Sequence, residues 1–193
     1  LGTCWVGPGA DHKTIIETMG PARFNPTKDH ILCVCAVGYK SAFSPIMIRL
    51  FSHVARARLP LERLFFRDQM CRVPLPFDQE PYSRMQPIFE ACRYAPSSYN
   101  AQTTRCSAVE EDSIVKRFDF YRDKPSKFYA TVAVGIWLAN WEAACQQFGM
   151  TGHFEIDKAR ETKDVPLYDV SWVFDEPLVL AATSETTNLL GAK

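Results

Sequence analysis

One stretch constrains this chain more than any other. Ser126 is suited to accept hydrogen bonds from first-turn amides, and the residues from Lys127 to Phe148 follow as a helix that Gly149 closes. That helix is apolar nearly all round through Leu138, which places it inside a protein or at a subunit contact. The apolar run around Phe128–Leu138 is interrupted by Thr131 and Gly135 and followed by Asn140 and Glu142. It falls short of the roughly 20 residues that a bilayer span needs, so no membrane is implied.

Further elements follow from caps and periodicity. Asp11 caps a short helix that runs through Met19, where Gly20 ends it and Pro21 prevents its continuation. Ile31–Val37 is a continuous run rich in β-branched residues, expected to be a strand buried on both faces and stopped by Gly38. Pro45 opens a helix carrying Ile46, Leu50 and Val54. Pro74, Pro76 and Pro81 among Asp68, Asp78 and Glu80 mark 67–82 as a crossing with little regular structure. Met85, Ile88, Phe89 and Cys92 share one helix face, and that helix stops by Ala95 because Pro96 disfavours helical backbone before it. Ala101–Val109 reads as a strand. Val170–Phe174 and Leu178–Ala182 read as two strands around Asp175-Glu176-Pro177, and the last ten residues as a loose tail. The order is mixed α/β without a strict βαβ repeat, so the expected class is α+β.

Composition narrows the functions. Lys+Arg and Asp+Glu number 22 each, giving zero net charge, and sequence-independent nucleic-acid binding needs a cationic surface. Several of the seven cysteines lie in apolar runs, and Cys33 and Cys35 share a face of their strand. They read as buried, reduced thiols of a cytoplasmic protein. No second ligand cluster accompanies them, and no two of the four histidines stand at HxxxH spacing, so no metal site is expected. The chain opens Leu1-Gly2-Thr3-Cys4-Trp5, without a secretory signal and as if cut from something longer.

Three constellations could carry chemistry. In Arg56-Ala57-Arg58-Leu59-Pro60, extended backbone would point both guanidiniums to one side, a pairing that suits a phosphate dianion. The same residues also fit a solvated helix C-terminus. In Ala95-Pro96-Ser97-Ser98-Tyr99-Asn100-Ala101-Gln102, hydroxyls and amides both donate and accept, as the pyrimidine edge of a flavin requires. An ordinary turn uses the same residue types. Gly2 to Gly9, rich in glycine, would let a backbone N–H approach a planar ligand, or would simply be a loop before the Asp11 helix. It is no dinucleotide fingerprint, because no GxGxxG links a strand to a helix.

Together these segments resemble the nitroreductase family of flavin mononucleotide enzymes, and most closely a branch with two nitroreductase-like halves in one chain. Leu1–Gly9 resembles the GLGTCW-type segment, Ile31–Tyr39 the buried AVGY-like strand, and Arg56 and Arg58 before Leu59-Pro60 the basic pair for the flavin phosphate. Glu90 to Gln102 is similar to the helix ending in APSxxNxQ that opens a half. Trp137–Gly149 resembles the helix packed at the pseudo-dimer interface. Where the family commonly has Pro-Trp after the glutamine, Thr103-Thr104-Arg105 stands here.

The resemblance implies a nitroreductase-like pseudo-dimer whose first half is incomplete. Residues 1–66 would end that half, 67–82 link, 83–182 form the second half and 183–193 trail. It implies FMN as cofactor, NAD(P)H as hydride donor and a nitro or quinone-like acceptor. Arg56 and Arg58 would hold the phosphate, Ser97, Ser98, Asn100 and Gln102 would line the ring or ribityl chain, and Gly7 would donate near the reactive nitrogen. No catalytic side chain is implied. The partner would be the missing N-terminal half or a second chain. Two alternatives stand beside it: a non-catalytic module that keeps the fold or sequesters flavin, and an interaction domain using the helix Phe128–Phe148 as a partner surface.

Overall fold

In the computed structural model, which describes residues 2–6, 11–29, 31, 34–39, 46, 57–123, 129–160 and 164–180, internal contacts divide the chain into Leu1–His53 and Val54–Lys193. The Pro-rich crossing 67–82 sits inside the second unit and contributes buried Leu75 to its core.

In the first unit, strand β1 (Gly2–Val6) pairs antiparallel with β2 (Val34–Gly38), matching Gly2 with Gly38 and Val6 with Val34. The opening segment is therefore a strand through Val6 rather than a loop. Helix α1 (His12–Met19) lies between them. The Asp11 carboxylate accepts the Lys13 N–H at 3.1 Å, and Gly20, at φ 71, donates its N–H to the Ile16 carbonyl at 3.0 Å. The second strand is not buried on both faces: Val37 is 65% exposed, and Cys35 is exposed too, against the expectation of a buried thiol. Of the helix expected after Pro45, only Ile46 lies within the described residues. It is helical and exposed.

The second unit is mixed α/β. Its five-stranded sheet runs β3 (Phe65–Phe66), β4 (Thr104–Glu111), β5 (Ile114–Arg122), β7 (Leu167–Val179), β6 (Gly152–Glu155). β3 is parallel to β4 and the remaining pairs are antiparallel. Helices α2 (Tyr82–Arg93) and α3 (Tyr129–Gln147) pack together and share one core with the sheet. α2 buries Tyr82, Met85, Ile88, Phe89 and Cys92, the face its periodicity predicts, and ends at Arg93 before Pro96.

α3 buries Ala130, Ala133, Val134, Trp137, Trp141, Ala144 and Cys145 as one stripe. Its C-terminus closes as expected: Gly149 has φ 68, its N–H donates to Gln146, and the Met150 N–H reaches back to Cys145 at 2.9 Å. That pair of bonds is a Schellman closure. Ser126 lies outside the described residues. One stripe of the helix packs into the core of the unit, and Thr131, Gly135, Ala139 and Glu142 are exposed in this chain. Trp137 and Trp141 point into the core, while Tyr129 and Phe148 keep exposed surface.

Two strands depart from the sequence expectations. β5 escaped them altogether. It follows a two-residue turn at Asp112 (φ 52) and Ser113 (φ 61), the positive pair that a primed hairpin turn needs. No glycine marks this turn, and Glu110, Glu111, Lys116 and Arg117 mask the alternation of Val115, Phe118 and Phe120. Conversely, the two strands expected around Asp175-Glu176-Pro177 are one, β7. The register jumps from Val115 opposite Leu178 to Arg117 opposite Val173, leaving 174–177 bulged. Pro177 lacks an N–H, and a bulge asks for none.

β6 is an edge strand, and Gly152 lets it lie flat on β7. An added Cβ there would sit 2.4 Å from the Val173 carbonyl oxygen and 2.7 Å from the Trp172 ring. Next to it, exposed His153 contacts Glu155 through Nε2 at 3.0 Å and Asp175 through Nδ1 at 3.4 Å. The hydrogen bond to Glu155, then that to Asp175, raises the imidazole above its ordinary value. A raised folded-state pKa means that the contribution to stability is fully present below the unfolded histidine value and fades as pH rises through the folded one. Proton NMR titration of His153 is expected to give a pKa above about 6.5 that falls in Glu155→Gln. An unchanged value in that variant would remove the ion pair as the cause.

Candidate functional site

Pro60 (φ −66, ψ 158) follows the Ala57–Leu59 chain, and the turn after α2 meets that chain. Beyond Arg93 and Tyr94, Ser97 is extended (φ −138, ψ 153), Ser98–Asn100 form a single 3-10 turn, and β4 starts at Thr104. Asn100 (φ 52) and Gln102 (φ 47) both adopt the left-handed conformation. Their side-chain amides reach across to Ala57–Leu59. Arg58 Nη1 donates to Asn100 Oδ1 at 2.5 Å, and Asn100 Nδ2 donates to the Ala57 carbonyl at 2.7 Å. The Leu59 N–H donates to Gln102 Oε1 at 2.8 Å, while Gln102 Nε2 donates to the Ala57 and Asn100 carbonyls at 3.2 and 3.3 Å.

The loop is anchored from below. The Gln102 N–H donates to Ser97 Oγ at 2.9 Å. Arg105 Nη1 donates to the Gln102 and Thr104 carbonyls at 2.6 and 2.8 Å, and its other terminal nitrogen pairs with Asp123. Burial pulls the Arg105 guanidinium below its ordinary value, against the Asp123 carboxylate that holds the charge. Thr103 and Thr104 are buried, and Thr103 accepts the Asp123 N–H at 3.0 Å. The Thr-Thr-Arg that departs from the Pro-Trp pattern therefore builds the footing of this loop.

Of the residues singled out from sequence, Arg58, Ser97, Ser98, Asn100 and Gln102 are thus in one place, all partly buried. Arg56 and Gly7 lie outside the described residues. Arg58 and Asn100 touch directly, with no gap between them. A cavity of about 10 Å³ borders Ser97, Gln102, Arg93 and Trp137, room for about one water. Ligand pockets occupy roughly 300–1,000 Å³, so this cavity admits no flavin tricycle.

A larger groove of about 380 Å³ lies elsewhere, bordered by Arg67, Glu80, Tyr82, Glu110, Glu111 and Asp112. The Tyr82 hydroxyl donates to Glu110, which also pairs with Arg67 at 2.6 Å. Burial, and then that hydrogen bond, push the Tyr82 phenol well up. Four carboxylates against one guanidinium make the groove hostile to a phosphate. Arg67 and Glu110 stand 43 residues apart, and no local spacing announces the pair.

Among the described residues no group of three or more His, Cys, Asp or Glu could hold a metal ion. Burial raises the Cys71 and Cys145 thiols to about 12, and Cys92 and Cys106 well above their ordinary value, which disfavours the nucleophilic thiolate. No helix among the described residues is long and apolar enough to cross a membrane. Compared with protein-family models, with curated proteins and with solved structures, the chain gives no match.

Proposed function

We propose that the chain is part of a flavin mononucleotide-dependent oxidoreductase of the nitroreductase type, passing hydride from NAD(P)H to a nitro, quinone-like or similar small acceptor in a ping-pong cycle. The supporting observation is the meeting of Arg58 with Asn100 at 2.5 Å, two motif residues 42 positions apart. On this reading the fold is nitroreductase-like, and residues 1–66 end a first half.

Bound flavin would supply the redox chemistry, and the chain would bind and orient it. The residues fit the phosphate end: Arg58, with Arg56 two positions earlier, offers charge-assisted donors to a dianion. Ser97 and Ser98 offer hydroxyls to the ribityl chain or ring edge. The ring end does not fit within this unit, because the adjacent cavity is of about 10 Å³. Its walls would come from a partner, either an upstream half or a second chain.

A second reading has its own observation. The amides of Asn100 and Gln102 already bond to Ala57–Leu59, which suits a non-catalytic module that keeps the fold or sequesters flavin. The visible spectrum of the purified protein decides between them. Flavin absorbance that NADH or NADPH bleaches supports the enzyme, and stable colour without bleaching supports the module. A colourless protein that FMN cannot reconstitute removes the flavin altogether. Arg58→Ala is expected to weaken FMN binding by about 10- to 100-fold, the value of a charged hydrogen bond. Unchanged affinity in a fluorescence titration would end the phosphate assignment.

A further inference from the structure

Left-handed backbone is uncommon outside glycine and costs free energy, so it persists where its surroundings over-determine it. Asn100 and Gln102 both hold it, at φ 52 and 47, with only Ala101 between them. What compensates is visible. Gln102 Nε2 divides its two hydrogens between the Ala57 and Asn100 carbonyls, and its Oε1 takes the Leu59 N–H. Asn100 takes a guanidinium hydrogen of Arg58 on Oδ1 and gives one of its own to Ala57. Four of these bonds run to the Ala57–Leu59 chain. Arg105, paired with Asp123, holds the Gln102 carbonyl from the opposite side.

We infer that Asn100 and Gln102 are positioning residues: their amides lock the Ala57–Leu59 chain and aim the Arg58 guanidinium at an anionic group, and they do not contact a cofactor ring. The inference rests on the preceding reading in taking that anion to be the FMN phosphate. Arg58 carries a long side chain with much rotational freedom to lose. A bond from Asn100 to one terminal nitrogen fixes the plane of the guanidinium fork before a ligand arrives, which lowers the ordering cost of binding.

Glycine provides a clean test, since it favours the backbone that both positions hold. Asn100→Gly and Gln102→Gly therefore delete the amides and keep the turn, with far-UV circular dichroism as the check on folding. FMN and riboflavin, which carries the same tricycle without phosphate, are titrated into the full chain by flavin fluorescence. Each variant is expected to lose about tenfold in FMN affinity and less than about twofold in riboflavin affinity. Adding Asn100→Gly to Arg58→Ala is expected to cost nothing more. Equal losses for the two flavins, or no loss for FMN, would overturn the inference. If the unaltered chain takes up neither flavin, the cofactor reading falls by itself, and trypsin then judges the lock. Cleavage after Arg58 is expected to be faster in both glycine variants than in the parent, and equal rates would overturn the lock as well.

Discussion

Alanine in place of Trp141 is expected to lower the stability of the Val54–Lys193 unit by about 3–5 kcal/mol, the cost of emptying a large aromatic site in a close-packed core. Trp141 is fully buried. Its ring centroid lies 4.9 Å from that of Phe118, 5.3 Å from Phe120 and 6.2 Å from Phe89. One side chain thus joins α3 to α2 and to the central strand β5. The indole N–H is buried without a hydrogen-bond partner, a cost the native protein carries for this packing. Trp141→Phe removes that orphan donor along with part of the ring, so its loss should be well below that of alanine. Urea denaturation followed by circular dichroism measures both. A loss under about 1 kcal/mol for Trp141→Ala would mean that the core collapses around the gap and that the ring is no keystone.

Removing the Asp119 carboxylate should cost a similar amount, about 3–5 kcal/mol, for an electrostatic reason. Asp119 is fully buried on the sheet face opposite the helices. It pairs with Arg117 Nε at 3.0 Å and Arg160 Nη1 at 2.7 Å, and accepts the Ser171 hydroxyl at 2.6 Å. The network continues from Ser171 to the Tyr168 hydroxyl at 2.8 Å, and Arg160 lies over the Tyr168 ring at 4.8 Å. Asp119→Ala strands two partly buried guanidiniums and leaves Ser171 with the Tyr168 hydroxyl as its partner. Asp119→Asn keeps the shape and an acceptor for Ser171, so its cost should be the smaller. A double-mutant cycle with Arg160→Met isolates the pair. A coupling near zero would show that the carboxylate serves only Arg117 and Ser171.

Local rules reached a defined part of this fold. The buried stripe of α2 and the caps at Asp11, Gly20 and Gly149 follow from spacings of three or four residues and from single special conformations. Such signals survive because the groups involved are chain neighbours. The same reasoning passed over β5, because its turn is Asp-Ser and its charges hide the alternation. It also divided β7 at Pro177, because a bulge reads from sequence as a break.

The candidate site shows the same division. That Arg58 and the serine-and-amide turn carry hydrogen-bonding groups was visible in the residues themselves. That the amides are spent on the Ala57–Leu59 chain was not, nor that Arg105 and Asp123 hold the turn in place. The Asp119 cluster is a further case, with Ser171 reached across 52 positions.

What local sequence carried was the caps at Asp11, Gly20 and Gly149, the end of α2 before Pro96 and the apolar face of α2. Tertiary structure decided which strands pair, where the register slips and which polar atoms are already committed. The reason is physical. Periodicity and capping act within one turn of chain, whereas pairing across dozens of residues is settled by the shared burial that offsets loop-closure entropy, and neighbouring residues carry no imprint of it.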